Sequence, residues 1–256
     1  MVDLVSVGSQ TAKSGFENER DVIVKFENWK QDIDAQKWLK IMSYNISKIK
    51  KISGIVIYGQ KTDIQIQITI KTKDKTSKEN LSLKKSTADF NQIDKRWIKN
   101  YIDLWNIPSN VVTLLRVFTG ELSPKELVAV KKIPKEKYES LRDKRRIFLD
   151  EMNKDDRDTI LNFFKKNKDL IISDLIKGRG EYSADWVLVT QHNENKILWI
   201  LRNIKDVINI LSQEDVRISP QGSLYIGKIT MQRKGGDGGR PTANMLQFKM
   251  KPNDLF

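Results

Sequence analysis

The chain has no cysteine and a single histidine, His192. Disulfides, thiolate zinc sites and multi-histidine metal centres are therefore excluded, as is a relay that needs spare histidines. No apolar run approaches the roughly 20 residues that a membrane span needs, and residues 1–16 lack the hydrophobic core of a signal peptide. A chain with no membrane partner and a cytoplasmic location is expected. Chemistry in such a chain falls to carboxylates, lysines, hydroxyls and amides.

What is abundant is positive charge. The formal net charge is +13 over 256 residues, with 39% hydrophobic content, enough to bury a core and to build one large or two small domains. Three segments account for it: residues 61–99 carry ten bases and five acids, 131–147 eight and three, and 217–256 seven and two. Concentrated Lys and Arg match a polyanion, because each phosphate neutralised releases condensed counterions. A solvated surface in a chain rich in Lys, Ile and Asn is the plainer alternative. Nucleic acid is favoured over a membrane surface, since the basic segments hold no amphipathic helix with Trp and Leu opposite the charge.

The stretch from Thr62 to Lys85 reads as a hairpin. Ile64, Ile66, Ile68 and Ile70 alternate with Gln65, Gln67 and Thr69, the period of a strand with one buried face. Polar residues 71–77 follow, and Leu81, Ser82, Leu83 and Lys84 resume the alternation. With a turn centred near Lys75, Lys84 comes about one step from Asp63 across the ladder. Gly54 to Tyr58 reads as the strand before this hairpin, giving three antiparallel strands in succession, and residues 33–50 read as one or two helices.

Near the start, Ser14 and Glu17 form a capping-box pattern. Phe16, Val22, Ile23, Phe26 and Trp29 then share a helical stripe. Glu19 sits in that stripe, where a carboxylate is costly unless a cation or donor meets it. Two roles are open to it: a structural ion pair or cap, and a part in holding a metal.

Beyond the hairpin, Asn91 and Gln92 carry amides of the kind that read base edges, and Lys95 and Arg96 suit phosphates. The plain alternative is a loop leading into a helix over residues 93–105. Residues 109–118 read as an apolar helix closed by Gly120, and 155–168 as an amphipathic helix. Trp186–Thr190 and Ile197–Arg202 read as buried strands, with His192 in the turn between them and outside any site. Two further strands flank the stretch 232–244, where Gly235, Gly236, Gly238 and Gly239 allow close backbone approach. Its lysine precedes the glycines, which excludes a nucleotide-binding P-loop. Read as a loop that enters a DNA groove, it offers Gln232, Arg233 and Lys234 to base edges and Arg240 to a phosphate. A flexible hairpin tip is the alternative.

Asp63, eighteen residues, then Ser82-Leu83-Lys84 resembles the PD-(D/E)xK nuclease signature with its second carboxylate replaced. Collinear stretches from about Val7 to the C-terminus, among them GSQTAKSGFENERD, FNQIDKRW, KGRGEYSADWVLV and QRKGGDGGRPTANMLQFK, are similar to the HinP-type type II restriction endonucleases, which cut GCGC. The resemblance implies one α/β (α+β) domain over residues 1–256, a mixed central sheet flanked by helices, with a catalytic hairpin at about 53–86 and recognition loops at about 88–97 and 230–244. It implies Mg²⁺-dependent hydrolysis of double-stranded DNA, Asp63 as the metal-bridging carboxylate and Lys84 as the residue that orients the attacking water. Ser82 occupies the second-ligand position, where it serves only as a poor ligand or through water. The Leu83 carbonyl and Glu19 are expected to make up the deficit. A methyltransferase protecting the same site in a bacterial host is the implied functional partner, and monomer and homodimer are both open. A DNA-binding protein without catalysis, and a nuclease or nickase of different GC-rich taste, are the alternatives.

Overall fold

Residues 18–70, 76–86, 90–193, 196–236 and 239–256 are described by the structure, a computed structural model, with 192, 193, 196 and 197 described in their backbone alone. Ser14, Phe16, Glu17, Lys75 and Gly238 lie outside the described residues. In chain order the strands are β1 (Ile49–Val56), β2 (Ile64–Ile70), β3 (Thr76–Lys85), β4 (Asn91–Arg96), β5 (Trp186–Asn193), β6 (Lys196–Asn203), β7 (Arg217–Ile218), β8 (Leu224–Ile226), β9 (Ile229–Arg233) and β10 (Leu246–Met250). The helices are α1 (residues 18–27), α2 (Ile33–Ile41), α3 (Lys99–Trp105), α4 (Ser109–Thr119), α5 (Pro124–Ala129), α6 (Lys135–Ser140), α7 (Lys154–Lys166), α8 (Lys168–Lys177) and α9 (Ile204–Leu211).

The chain forms two compact units. The first comprises Met1–Ala88, Ile176–Val207 and Leu255–Phe256. Its sheet has the order β1-β2-β3-β5-β6 and is mixed, because β3 and β5 run parallel while the other neighbours are antiparallel. The alternation in β2 decides its faces. Ile64, Ile66 and Ile68 are fully buried beside Val22 and Phe26 of α1 and Trp38 and Leu39 of α2. Each such isoleucine contributes roughly 1.5–3 kcal/mol by leaving water. Gly54 lets α1 close on the sheet, since a Cβ there would stand 2.7 Å from Ile23 Cγ2.

The second unit comprises Asp89–Leu175 and Ile208–Asp254. Its sheet, β4-β10-β9-β8-β7, is antiparallel throughout. One face is apolar: Tyr101 and Trp105 stack at 4.4 Å, and both meet Phe248 of β10 edge-on at 5.5 and 5.6 Å. The helix over residues 109–119 ends as its sequence predicts, with Gly120 at φ +85°.

Three expectations are corrected. Residues 49 and 50, read as the end of a helix, belong to β1, which runs from Ile49 to Val56 rather than from Gly54 to Tyr58. Residues 93–96, read as the start of a helix, lie in β4, and α3 begins only at Lys99. His192 lies in β5, not in a turn, because β5 and β6 pair out to Asn193 and Lys196.

Candidate active site and nucleic-acid interface

Asp63 precedes β2, and its backbone N–H donates to Leu81 O at 2.9 Å, one step beyond the Ile64–Leu81 pair. That register brings Ser82 opposite Asp63 and leaves Lys84 two residues further along β3. A turn centred at Lys75 would have shifted this pairing; Thr69 pairs with Thr76 instead. Asp63 Oδ2 accepts from Leu83 N–H at 2.5 Å and from Ser82 Oγ at 3.1 Å. Lys84 Nζ donates to Ser82 Oγ at 2.8 Å and Leu83 O at 3.0 Å, and lies 3.6 Å from Asp63 Oδ2. Asp63, Ser82, Leu83 and Lys84 are thus brought together. Thr62 does not bond Asp63; its hydroxyl donates to Tyr182 O at 2.7 Å.

Glu19 of α1 joins this group electrostatically. Burial raises its pKa above the ordinary carboxylate range, the Asp63 charge raises it further, and the Lys84 ammonium works against both. Among the described residues, its buried Oε2 has no hydrogen-bond partner. A buried carboxylate oxygen left unpaired beside a second acid is costly unless a cation meets it.

Along the same strands runs a chain of amides that the residue pattern alone does not reveal. Gln67 Nε2 approaches Gln65 Oε1 at 3.4 Å, Gln65 Nε2 donates to Asn80 Oδ1 at 2.9 Å, and Asn80 Nδ2 donates to the carbonyls of Glu181 and Ser183, each at 2.9 Å. Gln65 and Asn80 are buried. Their register opposition, Gln65 to Asn80, could have signalled the pair once the turn was placed correctly.

Among the described residues, no three His, Asp or Glu side chains converge as a metal site. A divalent ion here would depend on Asp63, Glu19 and the Leu83 carbonyl. Mg²⁺ suits such a sparse set, because it commonly takes one or two carboxylates and fills its shell with water and substrate phosphate. The residues fit that ion.

In the second unit, β4 is an edge strand whose register against β10 shifts between Phe248 and Lys249, leaving Ile93 as the extra residue. This bulge turns Gln92 to the face of Lys95, Gln247 and Lys249. Gln232, Thr230 and Tyr225 continue that face through the pairs Gln247–Gln232, Lys249–Thr230 and Tyr225–Thr230. The face thus carries amides, hydroxyls and lysines, with no acid among its described strand residues. Asn91 and Arg96 lie on the opposite face, and Arg96 Nε donates to Asp94 Oδ1 at 3.1 Å. Arg233 also points away from Gln232. Its Nε and Nη2 donate to Asn244 Oδ1 at 3.2 and 2.7 Å, and Asn244 Nδ2 donates to Gly120 O. Lys234 continues from β9, its N–H donating to Met245 O, and Arg240 is exposed before the 3₁₀ turn Pro241–Asn244. Gly235, Gly236 and Gly239 all have positive φ, so the loop needs their freedom.

The fold itself defines a class. Restriction endonuclease MspI, solved in complex with its cognate DNA, is similar over 97% of this chain and 93% of its own, at a TM-score of 0.61 and 16% identity. The architecture is that of a restriction endonuclease: a mixed α+β core with a five-stranded sheet flanked by helices. Among proteins with curated functional descriptions, none matches the chain. A family model described as R.HinP1I restriction endonuclease matches residues 42–256, and the chain belongs to that family of type II site-specific deoxyribonucleases. Membership favours the nuclease over the non-catalytic alternative. No helix among the described residues is long and apolar enough to cross a membrane.

Proposed function

We propose that the chain hydrolyses phosphodiester bonds of double-stranded DNA at a short palindrome, GCGC, with Mg²⁺, in the cytoplasm of a bacterial host whose methyltransferase protects the same site. The observation that carries the catalytic part is the buried Oε2 of Glu19, without a partner among the described residues, beside an Asp63 that Leu83 N–H and Ser82 hold in place. Asp63, Glu19 and the Leu83 carbonyl would hold the ion. When bound, Mg²⁺ lowers the pKa of water and offsets charge that builds on the phosphate.

The protein's own groups do the rest. Lys84, anchored on Ser82 Oγ and Leu83 O, directs an ammonium toward the carboxylate and orients the incoming water. Ser82 takes the place of a second acid as an organiser: it donates to Asp63 while accepting from Lys84. The polar face of β4, β10 and β9 supports major-groove contact, with Gln92 and Gln232 toward base edges and Lys95 toward phosphate. From the β9–β10 loop, Lys234 serves a base edge and Arg240 a phosphate. Asn91, Arg96 and Arg233 lie on the opposite strand face, where a contact with the same groove has less support.

Digestion of a sequenced plasmid in Mg²⁺, with ends mapped by sequencing, tests this beside Asp63→Ala. Discrete GCGC cuts that vanish in the variant, with DNA binding retained, are expected. Wild-type rates in the variant would remove Asp63 from the mechanism, and cuts elsewhere would replace GCGC.

A further inference from the structure

Gln247 is absent from every site residue expected above, yet it joins two of them. Gln232 Nε2 donates to Gln247 Oε1 at 3.1 Å, and Gln247 Nε2 donates to Gln92 Oε1 at 2.6 Å. The three side chains lie on adjacent strands β9, β10 and β4, with Gln247 buried in the middle, Gln232 half-buried and Gln92 exposed. We infer that Gln247 is a positioning residue for sequence recognition, which fixes which end of each neighbouring amide meets the DNA.

An amide has an acceptor oxygen and a donor NH₂ on one carbon. A neighbour that engages one therefore turns the other outward. Gln92 gives its oxygen to Gln247, so its NH₂ is the outward group, a donor for an acceptor-bearing base edge such as guanine O6 or N7. Gln232 gives its NH₂ to Gln247, so its oxygen is outward, an acceptor for a donor-bearing edge such as cytosine N4. Reversing all three amides together exchanges the two ends but still leaves one donor and one acceptor. The chain of bonds makes the ends complementary, and neither glutamine is free to rotate and accept a second base. Lys95, the register partner of Gln247, and Lys249, two residues along, put positive charge beside the donor end and favour guanine there. The inference rests on the proposal that Gln92 and Gln232 contact base edges.

Two substitutions separate this role from a structural one. Gln247→Met keeps the volume and removes both bonds, freeing both amides. Gln247→Glu accepts from both sides, so Gln92 must turn its NH₂ inward and its oxygen outward while Gln232 stays as it is. The lysines on the same face stabilise the carboxylate. The measurement is the cleavage rate on a pool of duplexes randomised at each base pair of the cut site, with melting temperature in parallel, for wild type, both variants, Gln92→Ala and Gln232→Ala.

Gln247→Met is expected to lose roughly tenfold or more in discrimination at two positions, those relaxed by Gln92→Ala and Gln232→Ala. Gln247→Glu is expected to shift preference only at the Gln92 position, from an acceptor-bearing to a donor-bearing base. Unchanged discrimination in both Gln247 variants, or an even loss on all sequences with a lowered melting temperature, overturns the inference. Discrimination insensitive to Gln92→Ala and Gln232→Ala overturns the base-contact proposal beneath it instead.

Discussion

Ser82 Oγ stands 3.1 Å from Asp63 Oδ2 while accepting from Lys84 Nζ at 2.8 Å, so one hydroxyl couples the acid to the lysine. The ammonium has only donors, which leaves the serine proton to the carboxylate. Ser82→Ala removes both bonds but leaves Lys84 on Leu83 O and Asp63 on Leu83 N–H. Hydrogen bonds to charged groups are worth about 1.5–3 kcal/mol. Single-turnover cleavage should therefore fall roughly 10–100-fold, with DNA affinity in Ca²⁺ unchanged. A rate within twofold of wild type would reduce Ser82 to a bystander.

Glu19 makes a pH-dependent prediction in the absence of metal. Its folded pKa is raised by burial and by Asp63, so the folded state binds the proton more tightly than the unfolded chain. The stability this gives is fully present below the ordinary glutamate value of 4.5 and is lost as pH rises through the raised folded value. Glu19→Gln should thus melt higher than wild type at neutral pH in EDTA, and the gap should close as pH falls below that ordinary value. Mg²⁺ should raise the wild-type melting temperature more than that of the variant. An equal Mg²⁺ effect in both proteins would take Glu19 out of the metal site.

The unbroken alternation of Ile64 to Ile70 made β2 and its buried face legible, and with it the placement of Asp63. The first half of β1 and the whole of β4 were hidden by bulges. Ile46, in the 3₁₀ turn before β1, and Ile49 and Ile52 within β1 fall at a spacing of three, which reads as a helical stripe. The register slips at Lys50, between the pairs Ile49–Ile70 and Lys51–Thr69, and one extra residue converts a period of two into three. In β4 the bulge at Ile93 breaks an alternation already short of apolar residues, because the strand lies at an edge with one face polar. The hairpin register was not legible because residues 71–75 are all polar and charged, so pattern alone places no turn. For the same reason the amide chains, which depend on register, could not be read: Gln65 with Asn80, and Gln92 with Gln247 and Gln232.

Gly120 and Gly180 separate two costs of the left-handed backbone. Both have positive φ, +85° and +76°. A Cβ at Gly120 would stand 2.5 Å from Arg145 O, whereas at Gly180 nothing lies within 4 Å. Gly180→Ala should cost about 1–2 kcal/mol, the conformational penalty alone. Gly120→Ala adds the displacement of a backbone carbonyl, and should cost at least about 3 kcal/mol. Urea denaturation measures both, and equal losses would show that the chain near Arg145 yields without resistance.

The polar sheet face makes its prediction through salt. If Lys95 neutralises a phosphate, Lys95→Ala should weaken binding to all duplexes alike and reduce the slope of log affinity against log salt by about 0.9. Base-reading residues behave differently, since an uncharged amide releases no counterion; Gln92→Ala should lower affinity for the preferred site and leave the slope alone. Arg233 distinguishes charge from placement. It is a cation at the end of β9, beside the glycine-rich stretch, but Asn244 holds it on the other face, and burial, followed by the neighbouring Arg145, depresses its pKa. Arg233→Ala should accordingly lower the melting temperature, because Asn244 loses both donors, and change the salt slope by much less than Lys95→Ala does. A full unit of slope lost in Arg233→Ala would place that guanidinium on a phosphate and move the DNA to the opposite face of the sheet.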